Sequence, residues 1–121
     1  MMDTGPALVS ILRQGCYLFA SIHTALDDAE MLKFRHELLN EIGKHRARGV
    51  LIDVGALDVL DSFGSATLRS IGEMARLRGA RTVIVGIQPE LAFAMVELGL
   101  TTGEVQTALD LEDGLVHLAQ R

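Results

Sequence analysis

Gly49-Val50-Leu51-Ile52-Asp53-Val54 is an apolar run that begins at one glycine and is followed by another, Gly55. A strand with one face in water alternates apolar and polar residues. This run does not, so both of its faces must be covered, which predicts a central, parallel strand with helices packed on the sheet. Arg81-Thr82-Val83-Ile84-Val85-Gly86 predicts a second strand further along.

The remaining pattern fits around these two. Pro6-Ala7-Leu8-Val9-Ser10-Ile11-Leu12 reads as a first strand, Arg13-Gln14-Gly15 as a turn, and Cys16 to Ile22 as a second strand. Together they predict an antiparallel hairpin. Asp27-Asp28 opens a helix that closes at the cations Lys44 and Arg46, as the helix dipole favours. Met31, Phe34, Leu38 and Ile42 form its buried stripe. A second helix starts near Ser62, with Phe63, Thr67, Ile71, Met74 and Leu77 as its apolar edge and Gly79 as its stop. Pro89 suits the first turn of a third helix, which ends near Leu98 with Gly99 beyond. A short strand over Glu104 to Leu109 and a last helix from Asp110, with Leu111, Leu115 and Leu118 inward, complete the chain. The order is β-β-α-β-α-β-α-β-α in one domain over residues 1–121, with 1–5 as a loose end. The expected class is α/β: a mixed sheet with an antiparallel first strand, and helices mainly on one face.

Composition excludes several functions. The net charge of −5, with only two lysines, argues against a nucleic-acid-binding face. The cluster Lys44-His45-Arg46-Ala47-Arg48 reads as cations at a helix C-terminus. No apolar run approaches the ~20 residues that span a bilayer, and no signal peptide is visible, so a cytoplasmic protein is expected. Cys16 is the sole cysteine and lies in an apolar run, which predicts a buried small hydrophobe. There is no G-x-S-x-G elbow, G-x-G-x-x-G or Walker loop. His23, His36, His45 and His117 lack metal-ligand spacing. No enzyme, cofactor or metal site is expected.

Right-handed crossovers bring the loops after the third and fourth strands to one edge of the sheet, where open α/β sheets carry their function. That edge holds Asp53, Asp58, Asp61, Ser62 and the Ile87-Gln88-Pro89 turn. Ser62 is either the helix cap or, with Asp61 as cap, the first helical residue. A phosphoserine there would add ≈ −1.5 to −2 charge at pH 7. The helix N-terminus favours that charge and the neighbouring acids oppose it, so the fold should tolerate it. Phe63 is expected in the core, with a partner surface as the alternative. Gly64 and Ser65 leave a small surface that another chain's backbone could approach, and a tolerated irregularity in the helix is the equal alternative for Gly64. Asp53 is not read as the phosphoacceptor of a receiver domain. The acid pair after the first strand and the lysine after the last are missing, so Asp53 is read as ordering the loop through backbone N–H groups.

Gly49-Val50-Leu51-Ile52-Asp53, Asp61-Ser62-Phe63, the stretch from Gly79 to Pro89, Glu97-Leu98-Gly99-Leu100 and Thr107-Ala108-Leu109-Asp110 carry a resemblance over nearly the whole chain. The chain resembles STAS domains (the SpoIIAA-like fold) of the anti-sigma factor antagonist family, and within it the RsbS type of bacterial stressosomes. The resemblance implies that Ser62 is phosphorylated, with Asp58, Asp61, Phe63 and Gly64 around a partner site. It implies an RsbT-type switch kinase held by the unphosphorylated form and released on phosphorylation. An RsbX-type phosphatase would reset the switch, and RsbR-type STAS co-antagonists would join it in a large homo- or hetero-oligomer. The alternative is a STAS module that binds an anti-sigma factor or a small ligand directly. Gly64 stands where related sequences tend to carry a bulkier apolar residue.

Overall fold

The computed structural model describes residues 7–99 and 105–120. Five strands and four helices alternate: β1 (Val9–Gln14), β2 (Tyr17–Ile22), α1 (Asp28–His45), β3 (Gly49–Asp53), α2 (Ser62–Leu77), β4 (Arg81–Val85), α3 (Pro89–Glu97), β5 (Val105–Ala108) and α4 (Leu111–Ala119). The strands lie in the sheet in the order in which they occur in the sequence, β1-β2-β3-β4-β5. β1 pairs antiparallel with β2, and every later pair is parallel.

The uninterrupted apolar run behaves as its pattern requires. Val50, Leu51 and Ile52 have 0% exposure. Val50 and Ile52 join Phe34 and Leu38 of α1, Leu68 and Ile71 of α2, and Leu91 and Met95 of α3 in one core. Leu51 points the other way, to a smaller core with Val83, Val85 and Leu118 of α4. Three helices therefore cover one face and one helix the other. Burying each of these large side chains stabilises the fold by roughly 1.5–3 kcal/mol relative to exposure.

Local chemistry explains where α1 begins and ends. Asp27 Oδ1 accepts the Glu30 N–H at 2.8 Å and Glu30 Oε1 accepts the Asp27 N–H at 2.8 Å, a reciprocal capping box. Met31, Phe34, Leu38 and Ile42 are buried as their spacing predicts. The helix closes at Arg46, whose φ of 50 is the one positive value at a non-glycine among the described residues.

Several details differ from the sequence reading. β1 starts at Val9 and extends to Gln14, and the hairpin turn is Gly15-Cys16, since Gln14 pairs with Tyr17. Gly15 has φ +63, the positive value required at the first central position of a type II′ hairpin. Cys16 therefore sits in the turn, exposed rather than buried. On α2 the buried residues are Gly64, Ser65, Thr67, Leu68, Ile71, Gly72 and Ala75. Phe63, Met74 and Leu77 are exposed (37%, 38% and 86%) because the small residues let the helix approach along a neighbouring stripe. Leu111 is likewise exposed, whereas Leu118 is buried and Leu115 packs beside it as expected, with Gly114 also turned inward. β5 is confined to Val105–Ala108. Residues 1–5, Pro6, Leu100 and Glu104 lie outside the described residues.

Candidate functional site

The four helices all run opposite to the parallel strands, so their N-termini gather at one edge of the sheet. Asp27, Asp61 and Asp110 cap three of them there. The candidate site lies at this edge, in the loop between β3 and α2.

Asp53 closes β3 and turns the chain. Its Oδ1 accepts the Gly55 N–H at 2.8 Å. Gln88 then reaches across from the β4–α3 loop and donates its side-chain N–H to the Gly55 carbonyl. Gly86 makes this crossing possible: its φ is +77, and a Cβ there would stand 2.9 Å from Asp53 Oδ1 and 3.3 Å from Gly55 Cα. The β3–α2 and β4–α3 loops are thus fastened together. The link from Gln88 to Gly55 is not evident from the sequence, because it joins two loops 33 residues apart.

Leu57 (4% exposed) and the half-buried Leu60 anchor the loop on the core, while Val59 between them is 64% exposed. Asp58 and Asp61 are both exposed. Asp61 is the cap: its Oδ1 accepts the Gly64 N–H at 2.7 Å, and its carbonyl accepts the Ser65 N–H at 2.9 Å. Ser62 is accordingly the first helical residue, and it is exposed. Gly64 faces inward. A Cβ on it would lie 2.8 Å from Leu60 Cδ1, so the absent side chain makes room for Leu60 rather than for another chain's backbone.

Three hydroxyls lie near this helix start, and burial separates them. Ser65 is 4% exposed, and its Oγ has no partner among the described residues. Thr67 is 3% exposed and donates to the Phe63 carbonyl at 2.8 Å. Ser62 alone of the three is open to solvent, with the exposed Phe63 beside it.

The first turns of the helices show a further difference. α1 has Asp28 and Glu30 in its first turn, α3 has Glu90, and α4 has Glu112 and Asp113; α2 has no acid. The cap carboxylate of Asp61 is thus the only negative group set against the positive end of α2 within that turn. The signal was present in Ser62-Phe63-Gly64-Ser65 and emerges only when the four starts are compared.

Among the described residues no three His, Cys, Asp or Glu side chains gather as a metal site, and no helix is long and apolar enough to cross a membrane. The architecture and the edge geometry define a class: a small α/β domain with an exposed serine at the start of its second helix, between the cap Asp61 and the exposed Phe63 in sequence. The chain belongs to the STAS domain family, which matches residues 11–114. It is similar to the RsbT co-antagonist protein RsbRA of Bacillus subtilis (strain 168), 33% identical over 90 residues, which cover 74% of this chain and 33% of that protein. The chain spans about a third of the length of the RsbR-type relatives it matches. Among solved structures it is similar to a Moorella thermoacetica RsbS in which a serine is replaced by glutamate. The TM-score is 0.80 and the identity 36%, over 93% of this chain and 95% of that one. It is also similar to a chain in a structure of the stressosome, a signal integration and transduction hub, with TM-score 0.73 and 33% identity over 90% of this chain and 95% of that one.

Proposed function

We propose that this chain is a phosphorylation-switched scaffold of a stressosome-type partner-switching system, and that Ser62 is its switch. The observation that carries the reading is the exposed Ser62 hydroxyl at the first position of α2, the helix whose first turn contains no acid. The likeness to RsbS and to RsbR-type co-antagonists supports the same role. In this reading the unmodified form holds an RsbT-type serine kinase. RsbR-type proteins share the assembly, an RsbX-type phosphatase removes the phosphate, and the complex is cytoplasmic. The chain is the kinase's substrate rather than a catalyst.

The chemistry of release follows from what surrounds Ser62. Val59 and Phe63 are exposed apolar side chains on either side of it in sequence, and they suit a desolvated contact. A phosphate adds ≈ −1.5 to −2 charge. Burying that charge in such a contact is costly unless a cation pairs with it. In the free protein the same phosphate is tolerated, because water solvates it and the helix N-terminus favours it. Phosphorylation therefore penalises the complex more than the fold.

The test is to incubate the chain with its cognate switch kinase and ATP and to map the phosphate by mass spectrometry. The expected result is one phosphate on Ser62, none on a Ser62→Ala variant, and kinase retained by that variant after ATP is added. Phosphate at another residue, or release of the kinase from Ser62→Ala, overturns the reading.

A further inference from the structure

At the edge of the sheet opposite Ser62, where the parallel strands begin, Tyr17, Gly49 and Arg81 stand in register across β2, β3 and β4. All three face α4. Tyr17 packs on the cluster of Leu51, Val83 and Leu118, and a Cβ on Gly49 would stand 2.8 Å from Leu118 Cδ2. Arg81 donates to the Gln120 carbonyl, just past the end of the helix. β2 and β4 are two strand spacings apart, so the backbones of Tyr17 and Arg81 lie about 9.5 Å from each other. The glycine between them leaves the row notched: a phenol ring on one side, a guanidinium on the other, and Leu118 against the gap. The notch belongs to a cleft of about 410 Å³ that Arg48, Ala119 and the exposed Cys16 also line.

The charge of this cleft is the reverse of the chain's. The sequence holds 16 acids against 11 lysines and arginines, yet two arginines and no acid line the cleft. Arg81 donates to the Gln120 carbonyl and, at 3.2 Å, to Gln106 Oε1. Both acceptors are neutral, so Arg81 is held in place without being neutralised. Arg48 is fixed through its backbone: its N–H donates to the Cys16 carbonyl at 2.8 Å, and its carbonyl accepts the Arg81 N–H at 3.1 Å. Neither guanidinium forms an ion pair among the described residues. The C-terminus of α4 opposes an anion here with roughly half a negative charge, and two full positive charges outweigh it.

We propose that the cleft binds a small free organophosphate: a phosphate monoester on a compact apolar body. Guanidiniums hold phosphate oxygens through paired N–H donors and stay charged at any working pH. Like a phosphoserine, a phosphate monoester carries ≈ −1.5 to −2 charge at pH 7. That matches two arginines better than the single charge of a carboxylate. The apolar body lies against the Tyr17 ring, Leu118 and Ala119. Ligand pockets run from roughly 300 to 1,000 Å³, and this cleft is near the lower end, so the body is about the size of one ring. The site is separate from Ser62, and the inference does not rest on phosphorylation of the chain.

The probes are phenyl phosphate, inorganic phosphate and phenol. Cys16 supplies the readout: it is the sole cysteine, it is exposed and it lines the cleft, so its alkylation by iodoacetamide should slow as the cleft fills. Phenyl phosphate is expected to protect Cys16 saturably and about tenfold more tightly than inorganic phosphate, while phenol gives no protection. Arg48→Gln and Tyr17→Ala should each weaken phenyl phosphate about tenfold or more. Arg13→Gln, at an exposed cation outside the cleft, should leave its affinity unchanged. Thermal melts verify that each variant folds, and the exposed Arg48 keeps the test open should Tyr17→Ala fail to fold. No protection by phenyl phosphate overturns the proposal. Equal protection by inorganic phosphate, which marks an adventitious ion only, overturns it too, as does an equal loss in Arg13→Gln, which marks diffuse surface charge. So does a chain that cosediments with phosphatidic acid vesicles and ignores phenyl phosphate, which would place a lipid headgroup in the cleft.

Discussion

The starts of α2 and α4 are built alike and end differently. Each has an aspartate cap that accepts the N–H three residues on, from Gly64 at 2.7 Å and from Asp113 at 2.9 Å. Each turns a glycine inward near its first turn. At α4 the glycine meets the sheet: a Cβ on Gly114 would stand 2.6 Å from Leu51 Cδ2 and 2.8 Å from Val85 Cγ1. At α2 the glycine meets its own loop instead: a Cβ on Gly64 would stand 2.8 Å from Leu60 Cδ1 and 3.2 Å from the cap carboxylate of Asp61. The first turn of α4 holds two acids, and that of α2 holds an exposed serine. One start is closed by packing and charge; the other rests on a loop and leaves its positive end open. The same local motif is an anchor in one place and, in the function proposed for Ser62, a receptive site in the other.

Exchanging the glycines gives the largest test of that contrast. Gly114→Ala forces a methyl into Leu51 and Val85 and should destabilise the fold by about 1–3 kcal/mol in urea denaturation. Gly64→Ala displaces the end of a half-buried Leu60, presses on the Asp61 cap oxygen at 3.2 Å and gains about 1 kcal/mol in helix propensity, so its net change should be less than half as large. Equal losses would mean that α2 is docked as rigidly as α4.

The caps come next. Asp61→Ala should cost about 1 kcal/mol, in the ordinary range for a lost cap. Asp110→Ala should cost less, because Glu112 and Asp113 still face the dipole of α4 and Asp113 also accepts the Leu109 N–H at 3.3 Å. Thermal melts of the two variants would sharpen the comparison, and a larger loss at Asp110 would break it.

The smallest effect concerns charge alone. Ser62→Glu should raise stability at low salt by a few tenths of a kcal/mol, the dipole gain outweighing repulsion from Asp61. Leu111→Glu, placed at the equivalent position of α4, should add nothing, because two acids are already there. The difference should vanish at high salt, and a gain at Leu111 matching that at Ser62 would show that the two ends are equally open.

Much of this was legible in the chain. The glycine-bounded runs at Gly49 and Arg81, the acids before each long helix and Pro89 placed the elements in order, because periodicity and capping are local properties. The side chains of α2 were less legible. A count of large apolar residues selects Phe63, Met74 and Leu77, whereas the helix packs through Gly64, Gly72 and Ala75 beside Leu68 and Ile71. Small residues allow close approach without registering as hydrophobic, so the true stripe was masked. The same count assigned Phe63 to the core first and to a partner surface second, and its 37% exposure favours the second. Cys16 was misplaced for a related reason: its apolar neighbours suggested a strand, while one residue of register put it in the turn.

The strand order also bears on how the chain reaches its native state. Since β1 to β5 lie side by side in the order in which they occur in the sequence, no strand has to be threaded between two that are already paired. Each helix-and-strand unit can add to a growing margin as the chain is synthesised. The two faces then mature at different times. The side covered by α1, α2 and α3 closes progressively, but Leu51, Val83 and Val85 stay wet on the other side until α4 arrives. Until that nine-residue helix docks, the nascent domain carries an oily flank. The interval before it docks is when aggregation competes most strongly with folding.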